Sequence, residues 1–484
     1  MRLPDRQAVS ADALGKAWTG AWRWLVSRQG GVFVGGVAVG LAVMLLPAPE
    51  GVPHSAMLAL GLMAFTVIMW ATAVIPPPLT AVIFIVLAAL SGSATMPAIV
   101  SGFVSNSVWL VFGGLLIGSA AERSGFGRWV ARHFLAGFRG SYASLILGIL
   151  LGTAVLSFLV PSNMGRIAIS IPIILALAKE AGYEIGTPAH IGLIVTTVIG
   201  NFTTAIGILP ANLLNIMIVG TGEALYGTQI TYVQYLVMCL PVLGIGKGLL
   251  VWVLVPRLYP APAPRLTSEG MAGAGVLSQE GIRVAAILGV AILAWATDFM
   301  HGIRPGWIAL GAGLLCVMPR IGVLPVSEIF DRRKLEIVVW IAGVLTLASV
   351  LSDSGASTLI SRILAETASV EGKSPTYGYF AIAYLTSLVA VFATMGGTVP
   401  TMAAVVGGIS EATNLPLETG MLAVSAGTSG LLFPYVAAPM VAGLAFGKVS
   451  MADATRFTVI STLFTWVFIV PLNALWWQLI GALP

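Results

Sequence analysis

Charge is what this chain has least of. Of 484 residues, 9% are Asp, Glu, Lys or Arg and 58% are hydrophobic, and the mean hydropathy is +0.97. Soluble domains carry about a quarter charged residues, so a water-soluble fold is set aside at once. Cysteine is nearly absent. Cys239 and Cys316 both sit in apolar runs, which leaves neither a disulfide framework nor a cysteine-based zinc site. The four histidines (His54, His133, His190, His301) are scattered with no His-x-x-x-His pair, an argument against metalloprotease and haem chemistry. The interior serines have no His or carboxylate at a useful spacing, so the constellation of an intramembrane enzyme is missing too. The net charge of +5 does not signal nucleic acid, because membrane proteins collect Lys and Arg on one face for topological reasons.

What is present is a succession of apolar runs near the 18–20 residues that cross a bilayer. They predict an all-α polytopic membrane protein with about eleven transmembrane helices, over roughly 31–47, 55–75, 78–94, 106–122, 188–220, 230–256, 284–300, 305–322, 337–353, 418–447 and 455–480. The fifth and tenth are too long for one straight crossing and are expected to be broken inside. Residues 1–28 mix Arg2, Arg6, Lys16, Arg23 and Arg28 with Trp18, Trp22 and Trp24, the pattern of an interfacial helix. The basic region is too long for a cleaved signal peptide, and no small-residue cleavage site follows it. With the N-terminus inside, Arg123, Arg128, Arg132, Arg139, Lys179, Arg257, Arg265, Arg283, Arg320, Arg332, Arg333, Lys334, Lys448 and Arg456 fall on the cytoplasmic side. Only Arg304, Arg362 and Lys373 fall outside, as the positive-inside rule requires. The C-terminus is then outside.

Two further apolar segments, about 141–178 and 376–412, are interrupted by Gly or Pro and read as re-entrant hairpins. The first contains Ser157 to Pro172, SFLVPSNMGRIAISIP, with Pro161, Ser162, Asn163, Gly165 and Arg166 at its centre. Broken backbone is tolerated in hydrocarbon only inside protein or beside a water-filled cavity. An arginine there costs about 2.5–3.5 kcal/mol on insertion scales unless it pairs or reaches water. The stretch is therefore expected to be a hairpin tip that binds something small and polar; the plainer alternative is a Pro-kinked helix whose Arg166 snorkels.

The halves repeat at an offset of 230 (343 − 113). Gly113, Ser119, Ser124 and Gly125 match Gly343, Ser349, Ser354 and Gly355. Each set precedes an amphipathic stretch, a hairpin (VPSNMGR or ATMGGTVP) and a broken span (GNFTTAIGILPAN or GTSGLLFPYVAAPM). Interrupted segments at corresponding positions of two inverted halves point to a transporter's central site. The expected division is 1–54, a first inverted repeat over 55–256, a cytoplasmic linker over 257–283 and a second inverted repeat over 284–484.

From Trp70 onward the chain resembles the divalent anion/sodium symporter family, carriers of dicarboxylates, citrate or sulfate. WATAVIPPPLTAVIFIVLAAL (from Trp70) is similar to the family's W-x-T-E-A-[IL]-P segment, with Ala73 replacing the glutamate. SGFVSNSVWLVFGGLLIGSAAERSGFGRWVA (from Ser101) is similar to its S-G-F-x-x-x-x-V-W-L-x-x-G-G segment. The family's Ser-Asn-Thr triplet stands here as Ser162, Asn163 and Met164 in the first hairpin, and as Gly396, Gly397 and Thr398 in the second. Its Pro-Asn-type breaks stand as Pro210, Ala211 and Asn212, and as Ala438, Pro439 and Met440.

The resemblance implies substrate contacts from Ser162, Asn163, Gly396, Gly397, Thr398, Pro210 and Pro439. It also implies sodium held at Ser162, Asn163, Gly200, Asn201, Thr398 and Gly427. Arg166 is outside the family pattern; it is expected either to fork a substrate carboxylate or to replace one sodium.

The reading is a secondary transporter of divalent anions, C4-dicarboxylates first, by sodium-coupled symport with an elevator motion. Obligate sodium-independent exchange, or a sulfate or citrate substrate, stands as the alternative, and a passive anion channel is the rival from another class. The implied setting is a homodimer in a bacterial inner membrane, with no cofactor beyond Na⁺. Among the remaining polar residues, Lys247 is expected to snorkel and Glu122 and Asp353 to cap or pair. Asp298 is expected to pair with Arg304, and Trp476 and Trp477 to anchor at the interface.

Overall fold

The computed structural model describes residues 27–136, 138, 140–265, 276–367, 371–392 and 395–484. The interfacial helix expected over residues 1–28 falls almost wholly outside the described residues, as do residues 266–275 of the expected linker. All regular elements among the described residues are helical. The first half runs α1 (Arg28–Leu45), α2 (His54–Thr72), α3 (Pro77–Ser91), α4 (Met96–Val104), α5 (Asn106–Arg123) and α6 (Phe126–Ala136). It continues through a hairpin, α7 (Tyr142–Leu159) and α8 (Asn163–Glu180), then α9 (Pro188–Ile206), α10 (Leu213–Tyr226), α11 (Tyr232–Cys239) and α12 (Lys247–Leu258).

The chain goes on with α13 (Gln279–Ala296), α14 (Pro305–Val317), α15 (Arg332–Asp353) and α16 (Ala356–Thr367). The hairpin α17 (Pro375–Phe392) and α18 (Met395–Thr413) follows, then the broken pair α19 (Leu417–Thr428) and α20 (Ala438–Phe446), and finally α21 (Met451–Phe464) and α22 (Val470–Leu479). Nine helical segments among the described residues are long and apolar enough to cross a bilayer. Two of the expected spans prove shorter, 15 residues in α3 and 13 in α14.

Side-chain caps decide where many of these helices begin. Ser27, Ser105, Ser141, Ser162, Thr187, Asn212 and Thr231 each accept from an N–H of the first turn, satisfying groups no helix can pair internally. Two features were not anticipated. Residues 96–104, left between two expected spans, form α4, whose start is fixed by Asp353 Oδ2 accepting from Thr95 N at 2.7 Å. The last span of each half also contains a π-helical segment, Leu240–Gly246 and Thr465–Ile469.

Three polar assignments change. Lys247 does not snorkel: it is buried, and its ammonium donates to Ser429 O. Asp298 does not pair with Arg304; its Oδ2 accepts from Tyr232 N at 2.7 Å, and Arg304 pairs with Glu223. Trp477 is no interface anchor, since it is fully buried with Nε1 donating to Met238 O at 2.8 Å. Its half-buried neighbour Trp476 donates to Val237 O at 2.9 Å, so the pair clasps α22 onto α11. In each case the sequence gives depth along a helix but not which neighbouring backbone group stands opposite.

Candidate functional site

The first break separates α9 from α10. Its backbone leaves the helical path at Gly207, makes a 3-10 turn over Leu209–Ala211 and re-enters a helix under the Asn212 cap. Freed carbonyls in such a place must find donors, and side chains supply them. Asn215 Nδ2 donates to Ala205 O and Ile208 O at 2.7 and 2.8 Å, and Tyr235 Oη to Ile206 O at 3.0 Å.

The tip of the first hairpin docks on this break. Ser162 caps α8 through Gly165 N at 3.1 Å, and Asn163 Nδ2 donates to Asn212 Oδ1 at 3.2 Å. Arg166 is fully buried behind them. Its Nη1 donates to Val160 O at 2.6 Å and Ala211 O at 3.0 Å. Its Nη2 donates to Asn201 O at 3.1 Å and to Asn163 Oδ1. The guanidinium thus ties tip to break, with no carboxylate in contact among the described residues.

The second break runs from Ser429 to Ala437 and includes a 3-10 turn, Pro434–Val436. Its carbonyls are also held by side chains: Ser387 Oγ donates to Gly427 O at 2.8 Å and Thr458 Oγ1 to Leu432 O at 2.9 Å. Lys247 supplies the third donor, to Ser429 O.

Between the first tip and the two breaks lies a cavity of about 540 Å³. Pro161 to Met164 of the tip, Ala211 to Leu214 of the first break and Tyr435 to Pro439 of the second line it. Trp70, Phe202 and Trp340 are among its apolar walls. Three helix N-termini, those of α8, α10 and α20, therefore open on one space. Each carries partial positive charge and unpaired N–H groups, and that of α20 has no side-chain cap. Asn212 Nδ2 and Trp340 Nε1 are buried donors on lining residues without a partner among the described residues. No charged side chain lines the cavity. A site of this chemistry suits a compact anion.

Of the residues singled out from sequence, Ser162, Asn163 and Pro439 line the cavity. Arg166, Pro210, Gly397 and Thr398 are buried elsewhere and do not line it. Gly396 lies in the first turn of α18. Gly200 and Asn201 sit within α9, where Asn201 O receives Arg166, and Gly427 packs against the Ala383 carbonyl and Thr386. Asn212, named from sequence only as part of the first break, and Trp340 were not picked out as lining donors. Asn212 was legible as a cap between the broken halves, but nothing in the local sequence of α15 marks the indole of Trp340.

Among families of known proteins, residues 32–483 match the sodium:sulfate symporter transmembrane region. The chain belongs to that family. This symporter-family chain is 26% identical to a Cupriavidus necator membrane protein over 310 residues, 60% of each chain, so it spans under two-thirds of that relative. It is 24% identical to the L-tartrate/succinate antiporter of Escherichia coli over 398 residues, 78% of this chain and 80% of that one. The crystal structure of the Alcanivorax borkumensis YdaH transporter matches with TM-score 0.54 and 14% identity, over 80% of this chain and 88% of that one. Membership of that family makes this chain an integral membrane transporter, not an enzyme.

Proposed function

We propose that this chain carries small divalent anions across the membrane, C4-dicarboxylates ahead of citrate or sulfate. The observation that carries the reading is the uncharged cavity onto which three helix N-termini open. Helix N-termini facing a midplane site are the transporter's means of holding a carboxylate. The resemblance to a tartrate/succinate antiporter agrees with that substrate class. Two inverted halves, a homodimer, an elevator motion and an inner-membrane setting with the N-terminus inside belong to the same reading.

On coupling, sodium symport is the mode the family name suggests, and exchange is the mode the first half of the site favours. Four oxygens from tip and break, the cage a mobile cation would use, are already taken by the Arg166 guanidinium. Uptake of labelled succinate into proteoliposomes separates the two. Exchange predicts uptake that requires internal unlabelled succinate and ignores sodium, whereas uptake driven by a sodium gradient alone would establish symport. Saturable counterflow rules out a passive channel. No uptake of succinate, citrate or sulfate in either format would sink the anion-carrier reading.

A further inference from the structure

Two tryptophans stand in the wall of the cavity between tip and breaks, and their N–H groups differ. Trp70, on α2, donates Nε1 to Pro77 O at 3.2 Å, so it offers the space only ring surface. Trp340, on α15 one turn beyond Ile337, has its Nε1 buried without a partner among the described residues. A buried donor left unpaired is costly, and an acceptor that arrives with a ligand relieves that cost. Asn212 Nδ2, on the first break, is a second such donor. Much of the remaining wall is apolar: Val111 of α5, Phe202 of α9 and Met217 of α10 are buried side chains that line it. Met164, 43% exposed at the hairpin tip, adds a flexible thioether. Tyr435 adds a fixed ring, stacked on Phe433 with centroids 5.4 Å apart, its Oη donating to Val391 O at 3.3 Å.

We propose that this cavity also takes dianions with an aromatic body, benzenedicarboxylates in particular, that it holds them more tightly than succinate, and that Trp340 sets the preference. This rests on the anion-carrier reading above and deepens it by naming the body of the cargo. Apolar surface gains by leaving water roughly in proportion to its area. Succinate brings two methylenes to these walls, whereas a benzene ring brings both its faces and pairs with indole, phenol and thioether groups. A dry apolar cavity of about 150 Å³ is enough for benzene, so the site, at about 540 Å³, has room for a ring and its carboxylates. One carboxylate takes the helix N-termini and Asn212 Nδ2, and the other takes the Trp340 N–H. Those donors stand on different elements, which suits a para-substituted ring with its carboxylates at opposite ends.

The test uses the purified full-length protein, read by its melting temperature in detergent and by counterflow of labelled succinate in proteoliposomes. Terephthalate is expected to stabilise the protein, and to inhibit counterflow, at about a tenth of the concentration that succinate needs, a difference of about 1.4 kcal/mol. Para-xylene, a ring of the same substitution without carboxylates, is expected to do neither. Trp340→Phe keeps a ring and removes the N–H, so both dianions are expected to weaken together. Trp340→Ala removes the ring as well and is expected to bring terephthalate down to the level of succinate or below. Terephthalate that binds wild type no more tightly than succinate overturns the proposal, as does para-xylene acting as strongly as terephthalate. Unchanged affinities in Trp340→Phe, or an unchanged preference in Trp340→Ala, overturn it too. Succinate counterflow that terephthalate leaves untouched sinks this proposal alone. A protein that neither dianion stabilises, and that shows no counterflow, takes the anion-carrier reading down with it.

Discussion

Arg166 lies one helical turn from Asn163, so the two share a face of α8, and Asn163 stands between the guanidinium and the cavity. The sequence makes a polar tip at Ser162 to Arg166 legible, since such residues are too costly in an apolar run to be idle. It cannot say which of them faces the ligand, because that depends on where Val160, Asn201 and Ala211 point their carbonyls. Removing the guanidinium leaves those three carbonyls to find other donors, at about 1–3 kcal/mol for each left unpaired. Arg166→Gln replaces four donor contacts with at most two, and relief of a buried charge offsets only part of the loss. A clear fall in the melting temperature of the purified protein is expected, with succinate counterflow reduced in choline. An unchanged melting temperature would show that the guanidinium is not the tie between tip and break.

The elements are organised around interruptions, and the interruptions touch one another. The π-helical segment of the first half packs on the first break: a Cβ at Gly207 would lie 2.7 Å from the Leu240 Cα. The same segment ends at Lys247, which holds the second break. That second break also approaches the π-helical segment of the second half, where a Cβ at Gly430 would lie 2.9 Å from Trp466 Nε1. Leu240–Gly246 is therefore a strut between both halves of the site, and π segments recur at functional positions. The breaks and hairpins were legible from Gly and Pro in apolar runs. The π segments were not, because no residue pattern distinguishes i→i+5 from i→i+4 bonding. Gly207→Ala sets a methyl against the Leu240 backbone, where no side chain can swing away. It is expected to cost about 1–3 kcal/mol, the usual range for overpacking, and to depress succinate exchange more than Gly248→Ala, whose position has open space. Equal exchange by the two variants would mean the strut can shift freely.

For the molecule as a whole, the cavity has a side. Its outer walls include Ala73 and Pro77, where α2 turns into α3, and Ile337 and Trp340 in the first turns of α15. We propose the orientation read from charge, in which those turns lie with Arg320, Arg332 and Arg333 on the cytoplasmic face; on that proposal the cavity opens inward. The positive-inside pattern supplies the sidedness, and the packing of tip against breaks supplies the cavity; neither alone gives the access state. Both native cysteines are fully buried, which makes the wild type a quiet background for thiol labelling. A single cysteine at Ile337 is expected to react with a membrane-impermeant maleimide in inside-out vesicles but not in right-side-out ones, and succinate is expected to slow the reaction. Labelling confined to right-side-out vesicles would invert the topology, and with it the side from which this conformation loads its anion. Labelling from the cytoplasmic side without protection by succinate would keep the topology and move the anion away from the cavity between tip and breaks.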